Sequence, residues 1–256
     1  MDMLAKIDTR QLLQDVEHRL YPVSKGPWVM MQAWHELLFA HWPLRPDALR
    51  LLLPPALQLD TFDGDAWVGV VPFHMSHVHP RGLPSLPWVS QFPELNVRTY
   101  VSVNGIPGVY FFSLDAANPV AVAIARSIFH LPYFNARMRS QRLIDTISYV
   151  SRRTHRNAPV AEFRAQYRPV APVVYAAPGS LERWFTERYY LYTVAGRNAV
   201  YRGDIHHGRW PLQRAELEVT RNTMALSHGI ELPDSAPLLH YSQLQKVLIW
   251  PLRRIA

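Results

Sequence analysis

The stretch ELNVRTYVSV (94–103), followed by Asn104-Gly105 and then VYFFSLDA (109–116), decides the fold. An Asn-Gly pair between two runs rich in β-branched and aromatic residues is a strong hairpin signal, because both residues accept the positive φ of a tight turn. Successive side chains on a strand point to opposite faces. Glu94, Asn96, Arg98 and Tyr100 therefore share one face, and Leu95, Val97 and Val101 the other. Two arrangements satisfy this alternation. The polar face lies in water, as on a half-exposed sheet, or it lines the interior of a closed sheet. In the second case Arg98 would grip a carboxylate and Glu94 would pair with it or act as an acid. The partner run, with Phe112 near its centre, suits the wall of an apolar pocket and a plain core equally well.

Outward from this hairpin the chain keeps the same character. LQLDTF (57–62), Asp63-Gly64-Asp65 and AWVGVVPF (66–73) predict a second hairpin. Further strands are expected at 28–41, 143–151, 161–170, 189–195, 199–207 (after a turn at Gly196-Arg197-Asn198), 212–222 and 238–252. Helices are expected at 9–20 with Thr9 as N-cap, at 46–53, and at 118–130, which Asn118-Pro119 opens and Pro132 closes. A short helix follows Ser180. There is no Gly/Ser linker and no repeat. The reading is a single α+β domain over residues 1–256, with 1–25 as a helical lead-in. Its mainly antiparallel strands should form a closed or nearly closed sheet.

Composition narrows the function classes. The chain has 256 residues, 48% hydrophobic and only 18% charged, which marks a packed protein. No cysteine is present, so disulfides, thiolate metal sites and a thiol nucleophile are excluded. No apolar run reaches a membrane span, and MDMLAKIDTRQ lacks the basic start and apolar stretch of a secretory signal. A cytoplasmic protein with no membrane contact is expected. The formal charge of +7 resides in residues 126–168, where nine arginines face only Asp145 and Glu162. Such a segment could track phosphates. However, Glu162, Arg164, Gln166 and Arg168 alternate with Ala161, Phe163, Ala165 and Tyr167, the mark of a solvated strand face, which weighs against nucleic acid. His74, His77 and His79 cluster, but on a plain strand only His77 and His79 share a face. His35-Glu36 with His41 misses the spacing of a zinc-protease helix. No metal and no cofactor is expected, and no nucleophile-elbow, dinucleotide or P-loop motif occurs. Gly105-Ile106-Pro107-Gly108 reads as a hairpin turn rather than an RNA-binding loop.

Several runs together carry a family resemblance. They are Phe39-Ala40-His41-Trp42-Pro43, Leu59-Asp60-Thr61-Phe62-Asp63-Gly64, Ala66 to Phe73, Glu94 to Val101, Gly108 to Asp115 and Leu131-Pro132-Tyr133. Over essentially the whole chain the sequence resembles the YqjF-like family of uncharacterised bacterial proteins. That resemblance implies an acetoacetate decarboxylase-like fold, a β-cone or barrel with a buried cavity, and no particular reaction. Acetoacetate decarboxylases carry a Pro-Lys-Lys motif after the helix that follows the central hairpin, and its first lysine forms a Schiff base. The corresponding stretch here is Leu131-Pro132-Tyr133-Phe134-Asn135, with Tyr133 and Phe134 in the lysine positions. The chain's three lysines are Lys6, Lys25 and Lys246, all distant in sequence, which speaks against Schiff-base decarboxylation.

The expected function is therefore binding of a small acidic or oxygen-bearing organic molecule. Arg98 would be the anion anchor, Glu94 a polar or acid/base group, Asn96, Tyr100 and Tyr133 further hydrogen-bonding groups, and Phe112 an apolar wall. A lyase or isomerase using Glu94 or Tyr133 to move a proton is the alternative. Nucleic-acid binding through 126–168 ranks third, and assembly into a homo-oligomer is left open.

Overall fold

The computed structural model describes residues 9–86, 89–196 and 198–256. Residues 1–8, with Lys6 and the first part of the expected lead-in, lie outside the described residues, as does Arg197 of the expected turn. The elements in chain order are α1 (Thr9–Gln14), β1 (Met30–Leu44), α2 (Pro46–Arg50), β2 (Gln58–Leu59), β3 (Ala66–Pro80), β4 (Phe92–Val103), β5 (Ile106–Ala116), α3 (Pro119–Ile128), β6 (Tyr133–Leu143), β7 (Thr146–Arg153), β8 (Glu162–Pro169), α4 (Leu181–Thr186), β9 (Tyr190–Ala195), β10 (Ala199–His207), β11 (Gln213–Asn222), β12 (Leu238–Ile249) and β13 (Arg253–Arg254). The α+β class, dominated by antiparallel strands, is as expected.

The strands form one 13-stranded sheet whose pairings return on themselves. β4 pairs with β5, β5 with β9, β9 with β10, β10 with β12, β12 with β1, β1 with β3 and β3 with β4 again, which closes a seven-strand ring. Two of these contacts set the shape. β5 runs parallel to β9 through Val109 and Tyr110, and parallel to β6 through Leu114 to Ala116. A parallel neighbour needs a crossover, and α3 supplies the one between β5 and β6. From β6 the sheet continues through β7, β8 and β11, and β11 meets β12 again. β4 is therefore covered on both sides. Its odd-numbered residues Leu95 and Val97 pack with Tyr149, Phe163 and Tyr167 in a core against β7 and β8. Its even-numbered residues face the inside of the ring.

Three expectations change. The hairpin of 57–73 does not form. Both edges of β3 are taken by β1 and β4, so β2 pairs instead with Val101 and Ser102 of β4, beyond the start of β3. The Asp-Gly signal there makes only a tight turn, with Phe62 and Asp65 exchanging backbone hydrogen bonds of 2.9 and 3.0 Å. The helix of 9–20 stops at Gln14. His206 Nε2 donates to the Leu12 carbonyl (2.7 Å), and Leu12 and Leu13 pack on Met31, Leu248 and Trp250, leaving Val16 and Leu20 exposed. Tyr133–Leu143 is a strand that its own polar pattern did not signal. It is held by β7 in a hairpin with Ile144 at φ 58° in the turn.

The arginines of 126–168 do not form one surface. Arg152 and Arg168 lie outside, paired with Glu162 and Glu216. Arg153 turns inward, where its Nε and Nη2 donate to the two oxygens of Asp115 at 2.7 Å each, with both side chains almost wholly buried. This pair ties β7 to β5 beside Phe134, whose ring lies 4.1 Å under the guanidinium. Arg153→Met strands a buried carboxylate and is expected to cost about 3–5 kcal/mol in urea unfolding. The Asp115→Leu/Arg153→Met double variant should recover part of that loss. A single variant as stable as the unaltered protein would contradict this role.

Candidate functional site

The ring encloses a cavity of about 460 Å³ whose wall on one side is β4. Register brings the polar face and its neighbours together. Phe73 lies opposite Glu94, Val71 opposite Asn96 and Gly69 opposite Arg98, so each polar residue has an apolar or absent side chain beside it. Glu94, Asn96, Arg98 and Tyr133 all line the cavity. Of the two arrangements open at the level of sequence, the inward one is found.

Tyr100 and Phe112 are placed differently. Tyr100 is fully buried and does not line the cavity; its hydroxyl accepts from Arg98 Nη2 (3.1 Å) and is hydrogen-bonded to His41 Nε2 (2.7 Å). It positions Arg98 from beneath. Phe112 also does not line the cavity, which corrects its expected role as an apolar wall. The β4–β5 register pairs Val97 with Ser113 but Arg98 with Phe111, leaving Phe112 as the extra residue of a bulge. A bulge reverses the alternation that follows it. Phe111 and Val109 therefore face inward, while Phe112 packs outward beside Tyr110 and His228. No sequence signal marked that bulge.

Charge matching singles out one residue. Among the described residues three arginines are buried: Arg98, Arg153 and Arg188. Arg153 holds Asp115 and Arg188 holds Asp60, whereas Arg98 has no carboxylate among the described residues. Its Nε is buried with no partner, as is the Oδ1 of Asn96 one turn of the alternation away. The rings of Phe39 and Tyr100 lie 5.1 and 5.6 Å from its guanidinium carbon. Such contacts and the Tyr100 hydrogen bond offset only about 1–3 kcal/mol of a desolvation cost of several kcal/mol. His41 does not add to that positive charge: burial, and then Arg98 itself, hold its pKa well below the ordinary value. Gly69 makes room for this layer, because a Cβ there would stand 2.9 Å from His41 Nε2.

Glu94 is not the missing partner. Tyr133 Oη donates to its Oε2 at 2.8 Å, and Tyr149 Oη fixes its backbone carbonyl at 2.7 Å from the other side of the sheet. Burial raises the Glu94 carboxyl to about 8, with the Tyr133 hydrogen bond opposing and the Asp115 carboxylate adding to the rise. At neutral pH it is an uncharged acid, and burial together with Glu94 pushes the Tyr133 phenol far above its usual range. The cavity thus presents a cation, an amide with a free acceptor and a neutral acid along one strand.

The remaining candidates separate. His77 sits at φ 53° on a second bulge, so His74 and His77 open with His35 and Ser76 onto an outer cleft, while His79 lies at the cavity's edge. The expectation that His77 and His79 share a face fails for that reason. Among the described residues no His, Cys, Asp and Glu group is arranged to hold a metal ion. No helix of the described residues is long and apolar enough to cross a membrane.

The chain matches the family model DUF2071, "Uncharacterized conserved protein", over residues 31–246. The chain belongs to this family. It is 51% identical over 232 residues to "Uncharacterized protein YqjF" of Bacillus subtilis (strain 168), covering 91% of this chain and 95% of that one. Among solved structures it is similar to the acetoacetate decarboxylase of Legionella pneumophila subsp. pneumophila str. Philadelphia 1, with 14% identity, TM-score 0.61 and coverage of 96% and 95%. An acetoacetate decarboxylase-like enzyme from Sphingomonas wittichii RW1 gives 13%, 0.61, 90% and 94%. The enduracididine biosynthesis enzyme MppR, complexed with pyruvate, gives 12%, 0.61, 93% and 93%. At these identities the likeness establishes the fold, and this DUF2071 member has an acetoacetate decarboxylase-like one.

The raised carboxyl has a measurable consequence. Folded Glu94 keeps its proton up to about pH 8, while an unfolded glutamate loses it near 4.5. Between those values the folded state binds the extra proton, so stability falls as pH rises. Relative to Glu94→Gln, the unaltered protein should lose stability steadily from about pH 4.5 to 8 and then level off, read from urea midpoints. Parallel profiles for the two proteins would place Glu94 in water.

Proposed function

We propose that the cavity binds a small organic acid, with the ligand's carboxylate on the Arg98 guanidinium. The observation that carries this reading is the imbalance at Arg98: a buried cation with no carboxylate among the described residues, facing an enclosed space beside the free acceptor of Asn96. A bound carboxylate supplies the missing charge through a bidentate pair. Neutral Glu94 lies farther along β4 with Tyr133 of β6 hydrogen-bonded to it, and the two meet a second oxygen on the ligand. A fold relative seen with pyruvate supports a ligand that joins a carboxylate to a carbonyl. Two described lysines, Lys25 and Lys246, do not line the cavity, and Tyr133 and Phe134 occupy the expected lysine positions. This supports, for the cavity, a chemistry that uses no Schiff-base lysine.

The test is calorimetric binding of 2-oxohexanoate to the full chain. Arg98→Met should weaken it at least about thirtyfold, the lower end for losing one partner of a buried charge pair, with the melting temperature unchanged or raised. Equal affinity in the variant contradicts the assignment.

A second reading, an enzyme, is favoured by the Glu94 carboxyl at about 8. A neutral acid hydrogen-bonded to a phenol can protonate a ligand oxygen or carbanion, the step a lyase or isomerase needs. Turnover of 3-oxo acids would then decline as pH rises through about 8 and disappear in Glu94→Gln. Inactivation of that turnover by borohydride would instead indicate a Schiff base and count against both readings.

A further inference from the structure

We infer that the ligand is a monocarboxylic acid with an extended apolar body, held carboxylate-inward and tail-outward; this rests on the Arg98 reading above. The cavity is long, has two unlike ends, and is much larger than a keto acid of a few atoms. From Phe92 to Arg98 its β4 wall covers six residues, or about 20 Å at 3.3–3.4 Å per residue. The Arg98 end is closed by buried side chains, Phe185, Thr186, Arg188 and Val109. At the other end the lining is solvent-exposed and apolar: Leu86 is 59% exposed, Val120 54% and Ile124 45%.

The polar groups follow the same gradient. Along β4 they occur at Arg98, Asn96 and Glu94, and the wall then turns apolar at Phe92; on the other walls the polar side chains include Arg188 and Thr186 at the Arg98 end, and Gln32, His79 and His207. The facing walls carry Trp34, Phe73, Met75, Phe111 and Leu114. A molecule of six non-hydrogen atoms would occupy only part of a 460 Å³ space. The rest would hold water against apolar walls, several molecules of it at ~30 Å³ each. An apolar body removes that contact. α3 repeats the pattern from outside: Val120, Ile124 and Ile128 recur every four residues on an exposed stripe, while Val122 is buried in the core. Part of that stripe rims the mouth, where a tail reaching solvent would lie.

Calorimetry with the full chain across propionate, hexanoate, octanoate and decanoate tests this directly, with methyl decanoate as the ester control. Affinity is expected to rise about fourfold per added methylene until the tail reaches the mouth. The ester should bind at least thirtyfold more weakly than decanoate. Ile124→Asp should weaken decanoate at least tenfold and flatten the series beyond hexanoate. A flat series that still depends on Arg98 overturns the apolar body and leaves the Arg98 assignment intact. A rising series that is unchanged in Arg98→Met overturns the carboxylate-inward orientation. A decanoate affinity untouched by Ile124→Asp overturns the outward path of the tail. No binding by any of these acids overturns this inference, and only if 2-oxohexanoate also fails to bind does the function it rests on fall with it.

Discussion

β4 is buried on both faces, and most of the molecule follows from that constraint. A strand so placed cannot shed its polar side chains into water, so its alternation must serve two interiors. The apolar side, Leu95 and Val97, joins the core against β7 and β8. The polar side has only the ring's cavity to face. Closing the ring through the parallel β5–β9 contact and the β10–β12 contact is what makes that side an interior. Without closure, the same strand would show an ordinary solvated face.

Burial then sets the state of each polar group. Where a carboxylate is at hand, the charges cancel, as at Arg153 with Asp115 and Arg188 with Asp60. Where none is, the outcome depends on what the group can surrender. Glu94 keeps its proton and becomes a neutral donor held by Tyr133. A guanidinium has no such escape near neutral pH. Arg98 stays charged, braced by Tyr100, which His41 braces in turn. The resulting arrangement stores an unmet electrostatic demand at the closed end of an otherwise apolar space, and that demand is the basis of the functional reading.

The sequence made the strand face legible because alternation is a backbone property that survives any tertiary context. Glu94, Asn96 and Arg98 could be grouped from spacing alone, while the family resemblance implied a buried cavity and set Tyr133 in a lysine position, and only the closed ring turned that face inward with Tyr133 against Glu94. Bulges broke the reading elsewhere. Phe112 and Phe111 exchange roles because one extra residue in β5 inverts the alternation, and His77 leaves the face of His79 for the same reason. The hairpin of 57–73 failed through competition: the turn chemistry was sound, but both edges of β3 were already occupied. The closed end built by Phe185 and Arg188, far away in sequence, had no local signature. Such features depend on partners that a single strand cannot name.

The most direct test is a crystal structure with decanoate bound. Both carboxylate oxygens should lie within about 3 Å of Arg98 guanidinium nitrogens, the geometry of a bidentate charge-assisted pair. The alkyl chain should run past Phe73 and Phe111 toward Val120 and Ile124. A carboxylate found at the mouth beside Leu86, with Arg98 facing only solvent or alkyl chain, would contradict the account.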